Sequence, residues 1–147
     1  VSYTKTLLLI GNPEVFMKAP VDLLGSDMQA IRKIAASDND TPILMLNLNK
    51  YMQGAGYPDG KLYRSYMQAL HRLIAQAEAK ILWQVPVLGQ PIGEQCLDEI
   101  LAAWYPSHKA FLSMTSLPGS KENFRLRELC IETAVIHRCA EGAIVKS

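Results

Sequence analysis

The sequence predicts an α+β fold in which four strands form one antiparallel sheet with helices on one face. Three observations predict it. Apolar and other residues alternate in four segments, which is typical of strands. In two further segments, apolar residues recur at helical spacing. The order of these segments is strand, helix, strand, strand, helix, strand. The chain has 147 residues, of which 49% are hydrophobic, so it is large enough for one domain with a substantial core.

The first 41 residues differ in pattern from the rest. The polar stretch at residues 37–42 (S-D-N-D-T-P) marks a boundary, so we expect an N-terminal extension of residues 1–41 and a domain of residues 42–147. Ser26 and Gln29 have the spacing of a capping box, and apolar residues then recur at helical intervals. The extension is therefore predicted to contain a short helix over residues 27–37.

The first strand and the first helix of the domain have clear patterns. Two sets of side chains alternate along residues 43–51, which predicts a strand with both faces at least partly buried. Leucines 44, 46 and 48 share one face, and Met45, Asn47, Asn49 and Tyr51 share the other. A glycine-rich loop follows, and residues 62–79 then carry one apolar stripe, which predicts a helix.

The second half of the chain predicts two strands, a helix and a last strand. Residues 80–88, with Ile81, Trp83 and Val85 expected on one face, and residues 96–105 alternate as strands do.

Ser107 is a suitable N-cap for the next helix, residues 121–129 can add a further helical turn or two, and residues 131–138 are β-branched and apolar enough for a strand. This order is that of the split β-α-β, or ferredoxin-like, fold, with helices on one face of its sheet.

The other face of such a sheet is expected to be apolar. It would carry Trp83, Trp104 or Tyr105, and Val135 or Ile136. An apolar face of that size does not stay in water, and a second copy of the same sheet is the simplest cover. The sequence therefore predicts a homodimer with two sheets face to face.

Four segments resemble motifs of one family. Residues 46–51 (L-N-L-N-K-Y) resemble its N-L-L-K-F strand, and residues 63–66 (Y-R-S-Y) its Y-x-x-Y helix start. Residues 104–114 (W-Y-P-S-H-K-A-F-L-S-M) resemble its R-Y-P-S-R-x-A-F-L-x-M segment, and residues 127–133 its C-terminal H-R-x-x-x-L-x-x-S run. The family is a widespread bacterial one of unknown function in the dimeric α/β-barrel superfamily, and the likeness covers roughly residues 42–138.

The resemblance implies the fold and the dimer more firmly than it implies a reaction. The superfamily includes cofactor-independent monooxygenases, small isomerases of aromatic breakdown and haem enzymes, and a fold does not fix a function. This chain also departs from the family pattern: Asn49 replaces an apolar residue, His108 replaces an arginine, and Leu126 stands where a histidine often precedes the arginine.

The charge balance excludes several classes of partner. Lysine and arginine number 15 and aspartate and glutamate number 14, which leaves a net charge of +1. We therefore expect no binding to nucleic acid or to an anionic membrane surface. The longest early apolar run, residues 7–10, is too short for a signal-peptide core or a membrane span, so a cytoplasmic location is predicted.

The sequence predicts no cofactor and no metal. The loop at residues 54–60 lacks a phosphate-binding motif, because Ala55 and Asp59 stand where the two nucleotide fingerprints need glycine. His71, His108 and His137 are too far apart in sequence to form a metal-binding motif.

The cysteines also favour a structural interpretation. Cys96, Cys130 and Cys139 are an odd number without a C-x-x-C pair, which argues against a disulfide scaffold and a cysteine-rich zinc site. All three are expected to act as small hydrophobic residues in the core.

Polar groups on the first predicted strand are the clearest functional signal. Asn47 and Asn49 share a face with Tyr51, and a buried amide without partners costs roughly 1–3 kcal/mol per group. The two asparagines would orient the carbonyl or carboxylate of a ligand, or else tie the strand to a loop or fix the dimer. Arg127 would bind a carboxylate bidentately from inside a pocket, although such an arginine more often pairs with a surface acid.

The remaining candidates are aromatic or titratable. Tyr51 and Trp83 would supply flat walls for an aromatic or acyl ligand, or simply fill the core. His71 and Tyr66 are the candidate proton-transfer residues. His71 lies about 100° from the centre of its helix stripe, where a structural role is favoured.

Two functions fit these residues. The first is a small protein that binds or converts a hydrophobic, oxygenated molecule by cofactor-free acid–base chemistry, as an isomerase or a monooxygenase-like enzyme would. The second is a non-catalytic module for ligand binding or dimerisation. Convergence of Asn47, His71 and Arg127 on one cavity would favour the first.

Overall fold

The structure is a computed structural model that describes residues 21–141. Its elements in chain order are α1 (Val21–Ala35), β1 (Ile43–Tyr51), a 3₁₀ turn (Gln53–Ala55), α2 (Lys61–Gln76), β2 (Lys80–Pro86), β3 (Glu99–Tyr105), α3 (His108–Ser113), α4 (Ser120–Cys130) and β4 (Ile131–Ala140). Residues 1–20 of the predicted extension lie outside the described residues.

The four strands form one sheet in the order β2-β3-β1-β4, and every neighbouring pair is antiparallel. This confirms the predicted α+β, ferredoxin-like arrangement. Because β1 lies between β3 and β4, Asn49 is opposite Glu99 on one side and Ala134 on the other. The centre of the sheet therefore carries the polar positions that the sequence singled out.

The helices pack on the face of the sheet that carries the odd-numbered residues of β1. One part of the core groups Tyr51 with Tyr63 and Tyr66 of α2 and with Leu126 of α4. The other part groups side chains from β1, α2 and β3, with Met45, Ile74, Leu101, Ala103 and Tyr105 among them. The functional candidates on β1 thus face a layer of helices.

The helix α1 begins earlier than predicted, at Val21, so that Ser26 lies inside it instead of capping it. Ile31 is 3% exposed and packs with Ile43 and Ile74, and Arg138 donates two hydrogen bonds to Asp27. The segment predicted as an extension therefore supplies a side chain to the core of the domain.

The helix α4 is longer than the turn or two predicted for it, and β3 is shorter than predicted. In α4, Phe124 and Leu126 are buried and Arg125 pairs with Glu122 one turn away, which stabilises a full helix. β3 begins at Glu99, and the carboxylate of Asp98 directly before it accepts the backbone N–H of Tyr51 at 2.8 Å.

An irregularity in β2 changes the predicted alternation. Ile81 pairs with Ala103 and Trp83 pairs with Ala102, so the register shifts by one residue at Leu82. Ile81 therefore faces the helices while Trp83 faces away from them, whereas the sequence pattern placed both on one face. Trp83 is 46% exposed as a result.

The face of the sheet away from the helices is mostly apolar, although exposed His137 lies opposite Leu46 on it. The leucines at 44, 46 and 48 are half-buried there, next to exposed Trp83 and Val85. Of the residues expected on this face, Trp83, Trp104 and Val135 lie on it, and Tyr105 and Ile136 face the helices instead. At one end of the face, Lys80 lies over the ring of Trp104.

The glycine-rich loop between β1 and α2 has a structural reason. Gly56 has a φ of +69°, a conformation that favours glycine, and it ends the 3₁₀ turn. A Cβ at Gly60 would collide with the backbone of Ala55 and Gly56. The glycines therefore allow the chain to turn tightly into α2, which begins after Gly60.

The cysteines are all free, but they do not all lie in the core. Cys130 is buried, Cys139 is half-buried, and Cys96 is exposed in the loop before β3. The expectation of three core cysteines is therefore wrong for Cys96, because β3 starts after it. Across residues 21–141, no helix is long and apolar enough to cross a membrane.

Candidate functional site

A cavity lies between the helix-facing side of the sheet and the helices α2 to α4. The centres of water-sized molecules can occupy about 80 Å³ of this cavity. It is therefore large enough for a small organic molecule. Most of its wall is apolar, with contributions from Leu70, Ile74, Leu101, Phe111, Phe124 and Ile136. Its polar part includes Asn47, Asn49, Tyr66, Asn123 and Arg127.

Three residues of the polar part carry buried atoms without a hydrogen-bond partner. Asn49, Asn123 and Arg127 are 4%, 2% and 6% exposed. The unpartnered atoms are the Oδ1 atoms of both asparagines and Nη1 of the arginine, with no partner among the residues that the structure describes. Each such atom costs about 1–3 kcal/mol, so the polar end of the cavity carries three hydrogen-bonding groups that no described residue satisfies.

Helix spacing brings Asn123 and Arg127 together. They are four residues apart on α4, so they share one helix face, which also carries buried Ser120 and Phe124. Asn49 reaches the same cavity from β1, since it lies on the helix-facing side of that strand. The unpartnered atoms therefore come from two elements, α4 and β1, that both contribute to the wall of this cavity.

Arg127 has no carboxylate within ion-pair distance among residues 21–141. Its guanidinium lies against the hydroxyl of Tyr66. Burial raises the pKa of Tyr66 more than the neighbouring Arg127 lowers it, and burial also raises the pKa of Tyr105. Both tyrosines therefore keep their protons at neutral pH, and the cavity has a positively charged end.

Asn47 is held more firmly than Asn49. Its Nδ2 donates to the carbonyl oxygen of Met45 at 3.1 Å and to that of Leu101 at 3.5 Å. These bonds tie the side chain to the backbone of β1 and β3, not to a loop as the structural alternative expected. Asn47 also lines the cavity.

A buried carboxyl group lies next to the cavity. Glu99 is 1% exposed, and it accepts hydrogen bonds from Tyr51 at 2.6 Å, from Tyr63 at 2.5 Å and from Gln84 at 3.0 Å. Burial, with a smaller contribution from Glu99, raises the pKa of both tyrosines well above the usual value. Tyr51 also stacks on Tyr57, so its ring is used in this cluster and does not line the cavity.

The structure brings together four of the residues predicted for the site and separates three. Asn47, Asn49, Tyr66 and Arg127 line one cavity. His71 is exposed on the outer side of α2, in a shallow groove beside Arg72, and Trp83 is exposed on the opposite face of the sheet. Tyr51 binds Glu99, as described above. Asn47, His71 and Arg127 therefore do not converge.

Sequence reasoning missed two residues, Asn123 and Glu99. A polar residue four positions before Arg127 on a helix was a usable signal for Asn123. For Glu99, the signal was an acid at an interior position of an otherwise apolar strand. Burying a carboxyl group there costs free energy unless hydrogen-bond partners are present.

A second polar cluster holds α3, which supplies Phe111 to the cavity wall. Asp40 accepts the backbone N–H of His108 at 2.7 Å and that of Lys109 at 3.0 Å. Ser107 caps the same helix, as predicted, by accepting the N–H of Ala110 at 2.9 Å. The first turn of α3 is thus fixed by two side chains.

Both ring nitrogens of His108 have hydrogen-bond partners in this cluster. Its Nδ1 lies 2.9 Å from Oδ1 of Asp40 and 3.0 Å from the carbonyl oxygen of Thr41, and its Nε2 lies 3.3 Å from Nη1 of Arg138. Because a guanidinium only donates, Nε2 accepts and Nδ1 carries the proton. His108 is a structural link between β4 and the start of α3.

The comparisons with known proteins give a fold but no activity. No family model matches the chain, and no curated protein matches it. It is similar to the crystal structure of a protein of unknown function from Rhodopseudomonas palustris, with a TM-score of 0.65 and 26% identity over 81% of this chain and 95% of that one. The methylated form of that protein gives a TM-score of 0.66 and 27% identity over 83% and 95%.

These neighbours share the fold over nearly their whole length, and their function is unknown. Among residues 21–141, no group of histidine, cysteine and carboxylate side chains is arranged to hold a metal ion. The cavity and its polar end are therefore the feature on which a functional proposal can rest.

Asp40→Asn tests the cluster that holds α3. Burial alone would raise the pKa of Asp40, but the N–H groups of His108 and Lys109 and the ring of His108 together hold it below its ordinary value of 3.8. We expect the variant to lower the free energy of unfolding by about 1–3 kcal/mol at neutral pH, measured by urea denaturation.

The pH dependence gives a second readout. A carboxyl group whose pKa is lowered by folding stabilises the protein above its ordinary pKa, and this contribution is lost as the pH falls through the folded pKa. The difference between wild type and Asp40→Asn should therefore shrink below pH 3.8. Asp38→Asn, at an exposed position nearby, is the control, and equal effects of the two variants at neutral pH would contradict the assignment.

Proposed function

We propose that this protein binds a small, mainly apolar, oxygenated molecule in the cavity between the sheet and the helices α2 to α4. The observation that carries the proposal is the set of unpartnered buried atoms of Asn49, Asn123 and Arg127 on one cavity wall. The polar group of the ligand would complete these hydrogen bonds, and its apolar part would cover side chains such as Leu70 and Phe124.

Binding is better supported than conversion of the ligand. Among the described residues, the ionisable side chains that line the cavity are Tyr66, Tyr105 and Arg127. Burial raises the pKa of both tyrosines, so they keep their protons at neutral pH, and the guanidinium only donates hydrogen bonds. General-base catalysis needs an acceptor whose pKa lies near the working pH. The lining therefore suits hydrogen-bond donation to a ligand oxygen. Cofactor-free isomerase or monooxygenase-like chemistry is the alternative, with Tyr66 as its proton donor.

We also propose that two copies associate through the apolar face of the sheet. Trp83 and Val85 are 46% and 45% exposed there, and the half-buried leucines of β1 lie beside them. Contiguous apolar surface of this kind is rare on monomers, and a two-fold axis lets one copy cover the same face of another. The resemblance to the bacterial family of dimeric α/β barrels supports the same assembly and remains a proposal.

A cytoplasmic location stays a prediction from the sequence. The three free cysteines are in keeping with a reducing compartment.

Arg127→Met tests the ligand proposal. Methionine keeps the apolar stem and the helix propensity but removes the cation. We expect the small molecule that is extracted from purified protein by denaturation, and measured by mass spectrometry, to fall at least about tenfold relative to wild type. With the ligand removed from both proteins, the melting temperature of the variant should equal or exceed that of wild type, because a buried charge without a carboxylate partner is removed.

Arg125→Met is the matched control. Arg125 lies on the same helix, is exposed and pairs with Glu122 at 2.8 Å. Its loss should leave the extracted molecule unchanged. Equal ligand content in wild type and both variants would contradict a role for Arg127 in binding.

Trp83→Glu tests the dimer. A charge placed on each of two facing sheets would be buried without a partner, so we expect the native mass to change from about twice 16.3 kDa to 16.3 kDa. Leu88→Glu is the control, since Leu88 is 97% exposed in the loop after β2 and lies off the sheet face. A wild-type protein that is monomeric at micromolar concentration would contradict the proposed assembly.

A further inference from the structure

The polar end of the cavity has the charge and the hydrogen-bonding groups to identify the class of ligand. This inference rests on the proposed binding function and concerns the same site. Three properties decide it: the sign of the charge, the mixture of donors and acceptors, and the small size of the cavity.

The charge of the site is positive, and no carboxylate among residues 21–141 lies within ion-pair distance of Arg127. Arg127 is 6% exposed, and a buried cation without a partner is costly. The nearby carboxyl group of Glu99 is not within ion-pair distance of Arg127, and its two oxygens accept from Tyr51, Tyr63 and Gln84. The free Nη1 therefore calls for an acceptor that carries a negative charge.

A monoanion fits this site better than a dianion. One guanidinium faces the cavity, and the neighbouring hydroxyls of Tyr66 and Tyr105 keep their protons. A phosphate ester would bring more negative charge than the lining balances, into a cavity whose wall is otherwise mostly apolar. A carboxylate balances the arginine and matches its planar, forked donors.

The asparagines add a requirement for a donor. The Oδ1 atoms of Asn49 and Asn123 can only accept, and neither has a partner within the described part of the chain. A simple carboxylate would leave both without a donor. A hydroxyl group on the carbon next to the carboxylate would donate to one of them, so an α-hydroxy acid leaves one amide oxygen fewer without a donor than a simple carboxylate does.

An ammonium group at that carbon would also donate, but it would leave the site with an excess positive charge. A zwitterion brings no net charge, so the guanidinium of Arg127 would stay unbalanced in a buried position. Charge therefore favours the hydroxyl over the ammonium.

We infer that the cavity binds an α-hydroxy acid with a short apolar tail, its carboxylate on Arg127 and its hydroxyl on one of the asparagines, Asn49 or Asn123. The tail lies against the apolar wall that Leu70, Ile74 and Phe111 help to form. The volume of about 80 Å³ that is open to water-sized molecules limits the tail to a short chain.

Four probes with the same tail test the class of ligand: α-hydroxyisocaproate, isocaproate, leucine and isocaproamide. We expect α-hydroxyisocaproate to bind tightest in isothermal titration to the dialysed full-length protein. Loss of the hydroxyl should weaken binding several-fold. Loss of the carboxylate, in isocaproamide, or of the net negative charge, in zwitterionic leucine, should weaken it at least about tenfold.

The outcomes separate the two proposals. If isocaproamide binds as tightly as α-hydroxyisocaproate, the carboxylate assignment is wrong and the cavity still binds ligands. If leucine binds tightest, the hydroxyl assignment is wrong. If no probe binds, the α-hydroxy acid inference is overturned, and the extraction experiment on Arg127→Met decides the proposed function separately.

Asn123→Asp provides a test that does not depend on the choice of tail. The new carboxylate lies four residues before Arg127 on the same helix face and takes the place of the ligand's anion. We expect a higher melting temperature than that of ligand-free wild type and at least about tenfold weaker binding of α-hydroxyisocaproate. Asn39→Asp, at an exposed loop position, should change neither.

Two results would contradict this placement. One is a melting temperature of Asn123→Asp below that of wild type. The other is unchanged binding of α-hydroxyisocaproate by the same variant. Arg127→Lys, which keeps the charge and loses the fork, should retain part of the affinity, and complete retention would remove the bidentate assignment.

Discussion

The buried carboxyl group of Glu99 is the constraint on which the architecture around the cavity depends. It lies on β3, and its partners come from β1, α2 and β2: Tyr51, Tyr63 and Gln84. A carboxylate that is 1% exposed is tolerated only when its oxygens are hydrogen-bonded, so these four elements must meet at one point. Because Asn49 lies opposite Glu99 in the sheet, the same point fixes one side of the cavity.

The contrast between Glu99 and Arg127 explains why the cavity is suited to an anion. Both are buried ionisable groups on the helix-facing side of the sheet, but the described residues supply three donors to the acid and no acceptor to Nη1 of the arginine. The cluster of Asp40 and His108 holds α3 in place on another part of the wall. Because the walls of the cavity are already held in place, little of the protein has to become ordered when a ligand binds. The unsatisfied hydrogen-bonding groups at the polar end of the cavity then favour binding.

The sequence contained enough information for the order of the elements, because periods of two and of 3.6 residues are local properties. It also indicated Asn47 and Asn49, since polar residues at interior positions of a strongly patterned strand need partners, and Arg127, since an arginine in a pocket can bind a carboxylate. It could not place His71, because the position lies at the edge of the stripe of α2 and a small rotation decides its exposure. Trp83 was misplaced relative to Ile81 by the irregularity at Leu82, which depends on pairing with β3.

The residues that sequence reasoning missed depend on contacts between distant segments. The donors to Glu99 lie 48, 36 and 15 positions away in the chain, so no local pattern reveals them. Asn123 lies in a helix whose apolar stripe is weak, because Lys121, Glu122 and Arg125 surround it. The sequence therefore predicts the scaffold and part of the cavity wall, whereas the balance of charge inside the cavity requires the folded structure.

A crystal structure of the protein with α-hydroxyisocaproate would show whether the cavity binds an α-hydroxy acid through Arg127. We expect a planar carboxylate within hydrogen-bond distance of Nη1 of Arg127, a hydroxyl within reach of Asn49 or Asn123, and the tail against Phe111. A cavity that holds only water, or one that has collapsed so that Asn123 bonds directly to Arg127, would contradict it.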